Sequence, residues 1–310
     1  MKILIELPTW LGDTVMLTPA LKNLVNYYDN PEITLIGSSS SIELLKNHSK
    51  VIRTFIIKKK YLYLYKVSKN LKGFDVFYSF RGSFRSKVFS LFISSKKKYS
   101  FNKNFYQNTH QVKKYNDFVN SCLNTKFSAG ELEIKDNLIL SKNNLKPMVG
   151  INPGAAYGYS KQWAPSEFAK VAIALSSNYD IIIFGSKEEK LISKDIERIF
   201  KKNNVHNYQN LAGLTSIAEL VNHISNLDLF ITGDSGPMHI AASFQIPTVS
   251  IFGPTRVKET SQWKNAKSVV VKKSLDCQPC MKRICPLKHH NCMKLIKSSE
   301  VLVAVESIIN

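Results

Sequence analysis

The chain has 310 residues, 44% of them hydrophobic, and a formal charge of +20. That length exceeds one comfortable core and predicts two domains of roughly 150 residues each. No apolar run approaches the ~20 residues that span a bilayer. The opening MKILIELPTWLGD reads as a first core strand and lacks a small-residue cleavage site, so a cytoplasmic chain is expected. Charge is unevenly spread: residues 1–146 hold 24 Lys and Arg against 10 acids, and residues 147–310 hold 19 against 13. Two readings follow for the first half, a solubilising surface or a face that meets something anionic: nucleic acid, an acidic membrane surface or a phosphorylated substrate.

In chain order, KILIEL, ITLIG, VIRTFII and FDVFYSF are short β-branched runs that read as strands. PALKNLVNYY, SIELLKNH and residues 83–93 lie between them with helical patterning. Thr18 and Pro19 have the form of an N-cap followed by proline at the first helical position, which predicts a helix start there. YLYLYK reads either as an apolar core segment or as an amphipathic flap. A long connection, residues 96–146, contains one helical candidate, HQVKKYNDFVNSCL. The alternation then restarts, with PMVGIN, DIIIFG, LDLFIT and PTVSIFG as strands. PSEFAKVAIAL, KEEKLISKDIERIF, IAELVNHIS and GPMHIAASF are the intervening helices. Continuous apolar strands separated by amphipathic helices predict parallel sheets covered on both faces, hence an α/β chain with two Rossmann-like domains. NNLKP interrupts the pattern and sets the boundary, giving domains over 1–146 and 147–296 and a last helix within 297–310.

Ligands of such sheets bind beyond the carboxyl ends of the strands, so the strand-ending loops are the place to search. After KILIEL, Gly12 permits a tight turn and Asp13 lands where a helix begins. That carboxylate either caps the helix or faces a cleft as a general base. After PMVGIN come Asn152, Gly154 and Ala155, small residues that let a ligand approach the backbone, and then Lys161 before Trp163. Lysine is a point-charge partner for phosphate, or here a solvated residue on a glycine-rich turn. Neither G-x-x-x-x-G-K-[ST] nor G-x-G-x-x-G is present in this loop. After DIIIFG, Glu188 or Glu189 could reach a ribose hydroxyl or stabilise the first turn of a helix. After LDLFIT, the stretch GDSGPMHIAA aims the backbone N–H groups of Ser235, Gly236 and Met238 out of a helix start, a ready anion site. Pro237 there gives up a hydrogen bond it would not have made.

Cys277, Cys280, Cys285 and Cys292 form a C-x2-C-x4-C-x6-C series with His289 and His290 inside it. The series reads as a thiolate zinc site or as a cluster of reduced, packed thiols, and it is not a standard finger.

Four motifs, GDTVMLTPAL, NPGAAYGYSKQWAPSEFA, GDSGPMHIAA and CQPCMKRICPLKHHNCM, occur in this order over nearly the whole chain. Together they make it resemble glycosyltransferase family 9, the bacterial lipopolysaccharide heptosyltransferases. The resemblance implies a GT-B architecture, two Rossmann-like domains facing a cleft, with the last helix crossing back to the first domain. It implies inverting transfer from ADP-L-glycero-β-D-manno-heptose onto a Kdo-lipid A acceptor bearing one heptose, at the anionic inner face of the cytoplasmic membrane, with no divalent metal. By motif, Asp13 becomes the base and Lys161 the neutraliser of the departing diphosphate. Asp234, Ser235, Gly236, Pro237, Met238 and His239 become the donor cradle with Asn152, Gly154, Ala155 and Glu188. Acceptor contacts are expected at Gly12, Lys58, Arg81, Arg85 and Lys97. Three alternatives remain: a family member with another acceptor, such as the transferase for the first heptose; a nucleotide-sugar epimerase; and a zinc-containing nucleic-acid-binding protein. The last leaves the strand-end loops without a role, and no nucleic acid partner is expected.

Overall fold

A computed structural model describes residues 1–57, 61–134 and 146–309, with residues 61–63 described by backbone alone. It divides into two compact units, Met1–Asn137 and Leu138–Asn310. Lys58 and most of the NNLKP segment lie outside the described residues.

The first unit runs β1 (Lys2–Glu6), α1 (Leu11–Tyr27), β2 (Glu32–Gly37), α2 (Ser39–Leu45), β3 (Val51–Ile56) and α3 (Tyr61–Ser68). It continues through β4 (Phe74–Ser79), α4 (Phe84–Phe92), β5 (Ser95–Ser100) and α5 (Gln111–Leu123). Its five strands are parallel in the order β3-β2-β1-β4-β5. The central strands are buried on both faces, as their unbroken apolar runs require. Right-handed crossovers place α1 and α2 on one face and, after the reversal between β3 and β4, α3 and α4 on the other. Leu64, Val67 and Leu71 there join Phe89 and Ile93 over Phe74 and Phe77.

The first helix corrects the sequence expectation. It starts at Leu11, with Trp10 as N-cap, and Pro19 lies inside it. Proline has no N–H for the carbonyl four residues back. The Thr18 hydroxyl donates to that carbonyl, Val15 O, at 2.8 Å, and so fills the vacancy. Its oxygen also accepts from Glu133 N at 3.0 Å. Strand β5 was likewise hidden in the expected long connection, because SKKKYS is a polar edge strand with three exposed lysines.

The second unit runs β6 (Met148–Asn152), α6 (Pro165–Leu175), β7 (Asp180–Ile183), α7 (Lys190–Lys202), β8 (Tyr208–Asn210) and α8 (Ile217–Ser225). Then come β9 (Leu229–Gly233), α9 (Gly236–Ser243), β10 (Thr248–Phe252), α10 (Val257–Thr260), β11 (Ser268–Lys272), α11 (Asn291–Lys294) and α12 (Ser298–Ile309). Six parallel strands lie in the order β11-β10-β9-β6-β7-β8. Trp163, fully buried, packs edge-on against Phe168 and donates its Nε1 hydrogen to Ile296 O at 2.9 Å. Helix α12, expected to return to the first domain, buries Val301, Ala304 and Val305 in the core of the second unit. This i, i+3, i+4 stripe fits the groove beside α6, β10 and β11, and Ser298 N donates to Glu167 Oε2 at 2.7 Å. No described helix is long and apolar enough to cross a membrane.

Candidate active site

Each sheet reverses its strand order once, at β1/β4 in the first unit and at β6/β9 in the second. The carboxyl ends of those strand pairs are where a doubly wound sheet opens a crevice.

In the second unit, β6 ends on Asn152, which pairs in register with Thr232 of β9. Buried Asn152 donates from Nδ2 to Thr232 Oγ1 at 3.3 Å and to Ser235 Oγ at 3.2 Å, tying the two strand ends together. Ser235 caps α9 in an extended conformation, and its hydroxyl turns to Thr232 rather than to the first helical turn. Gly236 and Pro237 open the helix, a start that suits an anion outside it. Met238 is fully buried and His239 nearly so, so both side chains pack inside the second unit.

Lys161, at the end of a 3-10 turn (Tyr159–Lys161), reaches the same point. Its Nζ donates to Asp234 Oδ2 at 2.6 Å and to Asp234 O at 3.3 Å, and lies 4.6 Å from the centre of the Tyr157 ring. The Thr255 hydroxyl, from the loop after β10, also donates to Asp234 Oδ2 at 2.6 Å. Only 11% of the lysine side chain and 5% of the aspartate's is accessible, so charge and countercharge are already stripped of most water. The sequence motifs thus converge on one cluster, to which the structure adds Thr255 and Tyr157.

The two acids after β7 part company. Glu188 is exposed, and its own backbone N–H and the Ser186 hydroxyl hold its carboxyl below the usual range. Glu189 is buried and accepts from Ser186 N at 2.7 Å. Its carboxylate rests on Gly154 so closely that a Cβ there would fall 1.9 Å from the carboxyl carbon. Glycine at 154 is therefore required by close approach, and Glu189 rather than Glu188 joins the loop of Asn152 and Ala155.

The cysteine segment supports that loop. Tyr157 donates its hydroxyl hydrogen to Met281 O at 2.8 Å, Ser160 N donates to Arg283 O at 3.1 Å, and Ser160 Oγ donates to Lys282 O. His290 Nε2 lies 2.8 Å from Ser160 O, one residue before Lys161. From the same segment Met281 N donates to Pro254 O at 3.0 Å and Gln278 Nε2 to Gly253 O at 2.6 Å, next to Thr255. Cys277, Cys280, Cys285 and Cys292 carry free thiols and line one pocket with His289 and His290. Burial, reinforced by the neighbouring Cys280, Cys285 and Cys277, pushes the Cys292 thiol up to about 11. Among the described residues no three His, Cys, Asp or Glu side chains are gathered as a metal site.

In the first unit, Asp13 occupies the first turn of α1 beside buried Gly12. Burial raises the Tyr115 phenol well above its ordinary value, and the Asp13 carboxylate adds to the effect, which places the acid next to α5. Glu6, at the end of β1 and buried, accepts from the hydroxyls of Ser79 (2.6 Å) and Ser86. Arg81 NH1 stands 3.5 Å from Glu6 Oε1, and NH2 donates to Thr9 Oγ1 at 2.5 Å. Burial draws this guanidinium below its ordinary value against the pull of Glu6, and Arg85 adds to the depression. Arg81 and Arg85 are thus gathered near the β1/β4 opening. Lys97 is not: it sits exposed in the middle of edge strand β5.

The chain thus consists of two doubly wound parallel sheets, the second with a buried lysine–aspartate pair beneath a helix start. Residues 64–291 match the family model of glycosyltransferase family 9 (heptosyltransferase), and the chain belongs to that family and is a glycosyltransferase. It is 39% identical over 317 aligned residues, covering 100% of this chain and 98% of the relative, to lipooligosaccharide heptosyltransferase 2 of Campylobacter jejuni. The solved structure of E. coli ADP-heptose lps heptosyltransferase II shares the fold, with a TM-score of 0.78 at 20% identity, covering 100% of this chain and 98% of that one. So does E. coli heptosyltransferase WaaC with ADP, with a TM-score of 0.78 at 14% identity over 99% of both chains.

Proposed function

We propose that the protein transfers L-glycero-D-manno-heptose, with inversion, from ADP-heptose onto the first heptose of a Kdo-lipid A inner core. The observation that carries this is the full-length identity of 39% to a lipooligosaccharide heptosyltransferase 2, and the site geometry gives it a mechanism. The second unit binds the donor, its diphosphate at the α9 start. There Lys161 and the helix amides take up charge as the bond from the anomeric carbon to phosphate breaks. Asp13 of the first unit accepts the proton of the acceptor hydroxyl while that oxygen bonds to the anomeric carbon, and ADP departs. Glu189 holds the ribose. Arg81 and Arg85 face the Kdo carboxylates or lipid A phosphates, and the acceptor is met at the anionic inner surface of the cytoplasmic membrane.

The test is incubation with ADP-heptose and defined acceptors bearing zero, one or two heptoses. Transfer to the one-heptose acceptor is expected. Transfer restricted to the heptose-free acceptor would reassign the chain to the preceding step, and donor turnover without transfer would favour an epimerase.

The support of Lys161 gives a second prediction. His290→Ala removes the contact to Ser160 O and is expected to raise the KM for ADP-heptose about tenfold, the worth of one buried hydrogen bond. His290→Asn tolerates the left-handed backbone at this position (φ 56°) and should recover part of the loss. An unchanged KM in the alanine variant would show that the cysteine segment does not hold the lysine in place.

A further inference from the structure

Asp75 is the sole acid between Leu44 and Asn116, a stretch with eighteen Lys and Arg residues. That carboxylate is already paired with Lys96 at 2.7 Å. Within this stretch, α3 and α4 pack side by side with their inner faces in the core. Their outer face is apolar too. Phe84 is 75% exposed, Leu91 77%, Tyr65 45% and Phe92 42%. Phe84, Lys87 and Leu91 fall at i, i+3 and i+7, one outward stripe of α4. Tyr65 and Phe92 meet edge-on at 5.6 Å, and the Lys69 ammonium lies 4.8 Å from the Tyr65 ring centre. Lys66, Lys69 and Lys87 are exposed around these side chains, and β5 adds Lys96, Lys97 and Lys98 along the adjoining edge. Single exposed apolar residues are ordinary on a protein surface, but a contiguous group ringed by one sign of charge marks an interaction face.

We propose that the outer face of α3 and α4 docks this protein on an anionic lipid bilayer. The choice of a bilayer rests on the proposed acceptor, a lipid. It also rests on chemistry: a bilayer offers hydrocarbon to Phe84 and Leu91 and headgroup phosphates to the lysines, whose stems reach from one layer to the other. A nucleic acid would pair with the lysines but give nothing to an outward leucine. The face lies on the opposite side of the first sheet from α1, which carries Asp13, and it includes no residue of the proposed donor site, so membrane attachment and chemistry are separable by mutation.

The experiment is co-sedimentation of the full chain with phosphatidylglycerol/phosphatidylethanolamine vesicles and with phosphatidylcholine vesicles, containing no acceptor. Binding to the anionic vesicles alone is expected, and it should weaken as salt rises. Lys66→Glu/Lys69→Glu/Lys87→Glu is expected to lower the partition coefficient at least about a hundredfold, since each lysine near such a surface contributes roughly a factor of five to ten. Phe84→Ser/Leu91→Ser should lower it about tenfold through lost apolar burial. Both variants should transfer heptose to a soluble, deacylated acceptor at the wild-type rate, which also shows that they fold. The proposal is overturned if the wild type ignores anionic vesicles, if either variant binds them unchanged, or if binding appears only when acceptor is present in the vesicle. A wild type that binds vesicles but never transfers heptose would remove the transferase assignment and leave the docking face standing.

Discussion

Changing Asp13 to alanine is expected to lower kcat by about 10²–10⁴-fold, the contribution of a positioned general base, while ADP binds as tightly as before. The separation follows from the fold. Asp13 sits at the start of α1 in the first unit, whereas Lys161, Asp234, Thr255 and Glu189 all belong to the second. The rival role, stabilising a helix start, is worth roughly 0.3–1 kcal/mol at an exposed site and so cannot imitate such a loss. Asp13→Asn sharpens the comparison, because the amide keeps the size and an accepting oxygen but cannot take a proton. ADP release in the presence of acceptor, together with calorimetric ADP titration, measures both quantities. Near-normal turnover in either variant would remove Asp13 from the chemistry.

Lys161→Met should be costly in two ways. It removes the cation proposed to stabilise the departing diphosphate, and loss of one such preorganised group typically lowers the rate by about 10²–10³-fold. It also leaves the Asp234 charge buried beside Thr255, and breaking a buried pair by removing one partner costs about 3–5 kcal/mol. Asp234→Asn in the same chain removes the stranded charge. The double variant should therefore regain much of the lost stability and none of the lost activity. Denaturant unfolding and donor kinetics on the wild type and the two variants test this. A Lys161→Met chain with wild-type stability would mean that the ion pair contributes nothing to the fold.

How far the chain could be read in advance depended on where each element gets its stability. The central strands β1, β4, β6, β9 and β10 are buried on both faces, so their apolar runs announce them. Polar β5 and the short β8 hold their places at sheet edges through partners that no local pattern contains. The start of α1 was misplaced because Thr18–Pro19 carries the chemistry of a cap. A hydroxyl hydrogen bond to Val15 O instead makes proline tolerable in mid-helix. At the site, the residue types of GDSGPMHIAA and of the lysine loop pointed to an anion, and the fold placed the two together. The choice between Glu188 and Glu189 was latent in the sequence: Ser186 and Glu189 have the S-x-x-E spacing of a capping box, which turns the second acid inward. Thr255 had no such signal. Its role comes from parallel strand order, which brings the loop after β10 next to the loop after β9.

Hydrogen bonds from the cysteine segment reach both the Tyr157–Lys161 loop and the Gly253–Thr255 loop, and each of these loops delivers one donor to the same Asp234 oxygen. Three stretches distant in sequence are thereby fastened at a common point, and none can shift without straining the other two. For a chemist fitting an inhibitor to the proposed donor site, this corner beside the start of α9 is a fixed mould. Affinity there will come from matching its spacing of cation, hydroxyl and amide, and a ligand that needs the lysine to swing aside should bind poorly whatever its charge.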